Sequence, residues 1–129
     1  MNFIEDLAED QEGDTMDSIL NSTKKLLGIT PEYEHFDADI IMHINSVFLI
    51  LNQMGVGPDV PFVITDASAT WDQFSSNIAQ IEMVKSYMGN KVKYLFDPPQ
   101  GGAVMSALEK TIAEQEWRLN VACDPTKTE

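Results

Sequence analysis

Cysteine is nearly missing from this chain of 129 residues: Cys123 is alone. No internal disulfide can brace the fold, and no thiolate cluster can hold zinc. The lone thiol reads as reduced and unimportant. Basic residues are scarce too, eight Lys and Arg against 21 Asp and Glu, for a formal net charge of -13. Such a surface repels phosphate, which argues against stable, sequence-reading contact with DNA. Long apolar runs are lacking. The longest, Val47 to Leu51, has five residues, whereas a membrane span needs about 20. No positively charged start precedes a hydrophobic stretch, so no signal peptide is expected, and the chain is expected to be made and kept in a cytoplasm.

Motifs that carry chemistry are also wanting. Gly55-Val56-Gly57-Pro58 lacks the Lys-Ser/Thr of a phosphate loop, and Gly101-Gly102 stands alone. There is no serine nucleophile elbow and no plausible Cys–His pair. His35, Asp39 and His43 are spaced by four and share a possible helix face, but a metal would need a further ligand. The expected arrangement is an exposed Asp39–His43 pair at i,i+4. Glu32, Glu34, Asp37 and Asp39 crowd before a helix start, where the helix dipole favours acids; a solvated cluster is expected rather than an acid–base pair. No catalytic, cofactor-binding or metal-binding residue is nominated, and no enzyme is expected.

What is present is helical periodicity. Hydrophobic residues make up 43% and charged residues 22%, a globular balance rather than a disordered one. Residues 1–14 read as an acidic arm: Glu5, Asp6, Glu9, Asp10, Glu12, Asp14 and then Asp17 supply seven negative charges with no basic partner, leaving six for the rest. Phe3, Ile4 and Leu7 give the arm one apolar edge, suited either to docking on a neighbouring chain or to no contact at all. A first helix is expected over 15–27, with Lys24 and Lys25 in its last turn, stopped by Gly28. Thr30-Pro31-Glu32 predicts a single helical turn ending near Phe36. A second long helix runs over 37–54 and is apolar nearly all round in its second half. It is either the central helix or is partly covered by another subunit.

Residues 55–69 form a long loop, broken by glycine and proline. Thr70 and Gln73 match a capping box that starts a short helix, and Asn77 caps the next. Ile81, Val84, Met88, Val92, Leu95 and Phe96 form one apolar stripe; Val104, Leu108, Ile112 and Leu119 form another. Asp97-Pro98-Pro99 must separate them, because proline cannot continue a helix and restrains the residue before it. So short a link predicts an antiparallel hairpin. Gly89 points to a close helix crossing, and Glu114 and Arg118 are spaced for a surface ion pair. The expected fold is all-α: a small helical bundle over 15–121, with an antiparallel C-terminal hairpin, one long loop, and a tail over 122–129.

Interface candidates follow from large apolar or cationic residues on these elements: Phe48 on the second helix, Phe62 and Ile64 in the loop, Trp71 after it, and Trp117, Arg118 and Val121 at the far end. For Trp117, core burial and contact with another chain both stand open.

Several stretches resemble the head–tail connector, or adaptor, family of long-tailed bacteriophages and their prophages. They are Leu26-Leu27-Gly28-Ile29-Thr30, Asp37 to Asn45, Leu51 to Pro58, Val84-Lys85-Ser86-Tyr87, Lys93 to Pro99 and Glu116-Trp117-Arg118-Leu119-Asn120-Val121. The Phe-Asp-Pro-Pro junction and the Glu-Trp-Arg-Leu-Asn end are the most specific. The resemblance implies a small helical structural protein without catalytic or cofactor residues. It implies a ring of about twelve subunits beneath the portal protein, a closed assembly that extends the DNA channel and receives tail-completion proteins. An acidic wall suits that role, letting the phosphate backbone slide without sticking. The alternative is a small acidic regulator or DNA mimic, which would place its carboxylates in a basic DNA-binding site.

Overall fold

A computed structural model describes residues 18–123. The acidic arm, residues 15–17, where the sequence places the start of the first helix, and the tail beyond Cys123 lie outside the described residues. So does the side chain of Cys123. The elements are α1 (Ile19–Leu26), α2 (Asp37–Gln53), α3 (Trp71–Phe74), α4 (Ile78–Phe96) and α5 (Gly102–Cys123). There is no strand among the described residues, as an all-α bundle requires.

Local chemistry sets the helix limits. Ser18 caps α1 by accepting from the Asn21 amide, and Asn77 caps α4 by accepting from Gln80. Thr70 and Gln73 form the reciprocal capping box of α3. α1 and α2 close in the same way. Ile29 N donates to Lys24 O at 2.8 Å and Gly28 N to Lys25 O at 3.1 Å; Val56 N donates to Leu51 O at 2.9 Å and Gly55 N to Asn52 O at 3.0 Å. These are Schellman closures, which need a left-handed residue, and Gly28 and Gly55 supply it at φ 81° and 84°.

The expected helical turn after Gly28 does not form. Residues 30–37 make two tight turns, with Tyr33 N donating to Thr30 O and Asp37 N to Glu34 O. The carbonyl of Pro31, which a helix would have used internally, accepts instead from the Lys24 ammonium at 3.0 Å. That ammonium is fully buried and also meets Asp37 at 2.7 Å. Lys24 therefore tethers the α1–α2 connection rather than decorating a helix end, and Asp37 leaves the solvated cluster expected for it.

α4 is the central helix, in contact with α1, α2 and α5. It buries Ile81, Val84, Tyr87, Met88 and Val92, while Leu95 at its end stays exposed. α2 buries Ile40, Ile44, Val47, Phe48 and Leu51 and leaves Met42 and Leu49 exposed. Gly89 marks a close crossing: a Cβ there would sit 2.5 Å from Leu26 Cδ1 of α1.

The loop over 55–69 is pinned by polar side chains. Asn45 Nδ2 donates to Ile64 O at 3.0 Å, and Ile64 N donates to Asn45 Oδ1 at 2.8 Å. One amide thus satisfies both backbone groups of Ile64, as a neighbouring strand would. Ser18 Oγ donates to Ala67 O at 2.8 Å, and Trp71 Nε1 to Ser22 Oγ at 2.9 Å. Phe62 and Phe74 then close on Phe48 with ring centroids 5.1 Å from it in each case. Trp71 stands 6.0 Å away. Each such ring pair contributes about 0.5–1.5 kcal/mol beyond its buried area.

Candidate functional site

The interface candidates separate into two groups. Phe48, Ile64 and Trp71 are buried in this chain's own core, and Phe62 is half-buried against it. Their apolar area is already used in holding the loop to α2. Val60 and Val63, between them in sequence, point outward instead. Trp117 and Arg118 are exposed and Val121 is half-buried. With Trp117 64% exposed, its core burial does not occur.

The second group is carried by α5, whose docking on α4 departs from a simple apolar seam. Among the described side chains of α5 only Ile112 and Leu119 are buried in the core; Leu108 is half-buried and Val104 exposed. Polar contacts complete the attachment. Asn90 Nδ2 donates to Gln115 Oε1 at 3.1 Å, and Gln115 Nε2 donates to Ser86 Oγ at 2.9 Å. Tyr87 is buried to its hydroxyl, which donates to Glu116 Oε2 at 2.8 Å. The same oxygen meets Lys91 at 3.3 Å. Burial, and then the bond to Glu116 and its negative charge, push the Tyr87 hydroxyl well above the usual phenol range. Tyr87 therefore stays a neutral donor locked on α5.

Because that seam is narrow, the opposite side of α5 is largely uncovered by the other described residues. Ala103, Ser106, Lys110, Ala113 and Trp117 recur at helical spacing and are all exposed. Four short or flexible side chains lead up to one large aromatic. Glu114 holds Arg118 beside it through Nε at 3.1 Å and Nη2 at 2.8 Å. This bears out the expected ion pair and ties the guanidinium to the preceding turn of α5.

Among the described residues, no group of three His, Cys, Asp or Glu side chains is placed to hold a metal. His35 turns against Phe36, centroids 4.7 Å apart. His43 faces Phe96 at 6.2 Å rather than pairing with Asp39. Asp66 lies below the usual carboxylate range because the Ser68 hydroxyl and amide donate to it, a closed local turn. No helix of the described residues is long and apolar enough to cross a membrane.

Sequence reasoning nominates Trp117 and Arg118, which the fold leaves exposed, but misses the tyrosine lock. The signal in sequence is a tyrosine at position 87 beside the apolar stripe of α4, and its acceptor lies 29 residues away. No curated protein and no solved structure matches the chain. A family model described as phage connector protein matches residues 19–126, from the first residue of α1 past the end of α5. With its helices, its core and its exposed C-terminal helix all inside that match, the chain belongs to the phage connector protein family, structural components of the head–tail junction of the virion.

Proposed function

We propose that the chain assembles into a closed ring of about twelve copies beneath the portal protein, extends the DNA channel and offers the surface on which tail-completion proteins seat. The observation that carries this reading is the outward face of α5, which leaves Trp117 and Arg118 exposed on a helix attached by one seam. A neighbouring helix can lie close over Ala103, Ser106 and Ala113 and end against the indole. Trp beside Arg is the composition that interface centres favour. Leu49, Val60 and Val63, also exposed, supply further apolar contact. The former candidates Phe48, Ile64 and Trp71 act in this reading as the rigid backing of the 55–69 loop.

The net charge of -13 works against assembly, since like-charged subunits repel. The ring therefore forms when the portal templates it, and the isolated chain stays a monomer. Sedimentation of the chain alone, then mixed with the portal of the same phage, tests this, with electron microscopy of the mixture. The expected result is a slow species alone and a portal-bound ring in the mixture. An inert mixture overturns the reading.

A further inference from the structure

The scarce cations of this chain are not evenly spread. A groove of about 410 Å³ between α1 and α4 has Lys25, Lys85 and Lys93 on its walls, with Glu82 the one acid among its lining residues. These three lysines are poorly neutralised. Lys85 approaches Glu82 only to 3.9 Å and Lys93 approaches Asp97 only to 3.8 Å. Lys25 has no acid within 4 Å among the described residues. Outside the groove Lys24, Lys91 and Arg118 sit at 2.7, 3.3 and 2.8 Å from their acids, and Lys110 stands by itself on α5 with no ion pair among the described residues. The floor is apolar: Leu26 lies over Gly89 and is still 58% exposed.

An occupant with the complementary pattern is encoded in the same chain. Residues 1–17 carry seven acids and no base, with Phe3, Ile4 and Leu7 at one end and Gly13 as a break. The arm enters the described structure at Ser18, which caps α1, the helix that forms one groove wall. Lys25 lies seven residues further on, roughly 10 Å along the helix axis. Seventeen residues reach up to about 55 Å when extended, far more than the groove requires. Attachment beside the groove gives the arm an effective concentration in the millimolar range, which no separate acidic partner matches at ordinary concentration.

We propose that the acidic arm folds back onto its own subunit and occupies the groove between α1 and α4. Its carboxylates meet Lys25, Lys85 and Lys93, and its apolar edge covers Leu26. Docking brings the three weakly paired ammonium groups into contact with carboxylates, and it removes an exposed leucine from water. The inference does not depend on ring formation.

Paramagnetic relaxation in the full-length chain tests it. Cys123→Ser removes the native thiol and Ala8→Cys carries a nitroxide. The expected result is selective loss of amide intensity at Ser22, Ser86, Gly89 and Asn90, independent of protein concentration. The loss should vanish in Lys25→Glu/Lys85→Glu/Lys93→Glu, persist in Lys110→Glu, and weaken in about 0.5 M salt, where screening shortens to a few ångströms. The salt arm needs no substitution, so misfolding of the triple variant cannot hide the answer. A spin-labelled, unenriched chain mixed with an isotope-enriched, unlabelled one should show no loss. Uniform intensities, losses insensitive to both salt and charge reversal, or losses appearing in the mixed sample, which would put the arm on a second copy, each overturn the proposal.

Discussion

Asp37 and Lys24 form a pair whose two halves are not equivalent. The ammonium is 0% exposed while the carboxylate is 25% exposed, with 2.7 Å between them. Removing one member of a buried pair leaves the other charged and poorly solvated, and the penalty depends on which one is stranded. Asp37→Asn strands the ammonium with only the Pro31 carbonyl and a neutral amide, at an expected cost of about 2–4 kcal/mol. Lys24→Met keeps the stem volume and strands a carboxylate whose Oδ1 is buried, but which as a group reaches water and sits in the first turn of α2, where the dipole favours it. That change is expected to cost about 1 kcal/mol or less, because the desolvation of the ammonium disappears with it. For a domain of this size each kcal/mol moves the melting temperature by about 4–5 °C. The expectation is therefore a drop of roughly 8–20 °C for Asp37→Asn against about 5 °C or less for Lys24→Met. The double variant should be more stable than Asp37→Asn alone. Urea unfolding of the four chains, closed as a thermodynamic cycle, measures this. If Lys24→Met proves the more damaging single change, the burial asymmetry does not govern the pair, and the argument fails.

Tyr87→Phe removes the donor to Glu116 and should cost about 1–2 kcal/mol, since the half-exposed acceptor can rehydrate. The raised pKa of Tyr87 means its stabilising contribution is complete below the phenol's ordinary value near 10 and declines as pH rises above it, where the unfolded chain loses the proton first. Wild-type stability should thus fall more steeply above pH 10 than that of Tyr87→Phe; parallel curves would show that the hydroxyl titrates alike in both states. Gly57→Ala meets two obstacles, a φ of 92° and a Cβ placed 2.5 Å from the Phe74 ring, whereas Gly28→Ala at φ 81° has nothing within 4 Å. Chemical denaturation should show about 1 kcal/mol lost at Gly28 and clearly more at Gly57; equal losses would mean that the ring moves freely. Trp117→Ala should leave monomer stability within about 0.5 kcal/mol, as exposed sites do, yet weaken binding to the portal ring. A large loss of monomer stability with unaltered assembly would return the indole to the core.

Much of this architecture is written in short-range sequence. Ser18, Thr70 with Gln73, and Asn77 start helices by satisfying orphan amides within three residues. Gly28 and Gly55 end them because they alone accept the left-handed closure, and Pro98-Pro99 separates the last two helices. The i,i+4 pair of Glu114 and Arg118 is local as well. These features follow from the chain because each donor and its acceptor lie within one turn.

Tertiary structure decided the rest, since it alone determines which stripes find a partner. The apolar positions of α5 looked equivalent to those of α4. Yet α5 packs mainly on α4, whereas α4 packs on α1, α2 and α5, so Val104 and Trp117 remain in water while Val84 and Val92 do not. Lys24 and Lys25 are neighbours of the same type at one helix end. The fold buries the first against Asp37 and leaves the second on a groove wall, and nothing within a turn of either distinguishes them. Asn45 and Tyr87 likewise acquire their roles from acceptors and donors 19 and 29 residues away. Spacing along the chain sets which side chains share a face, but only packing sets what that face meets.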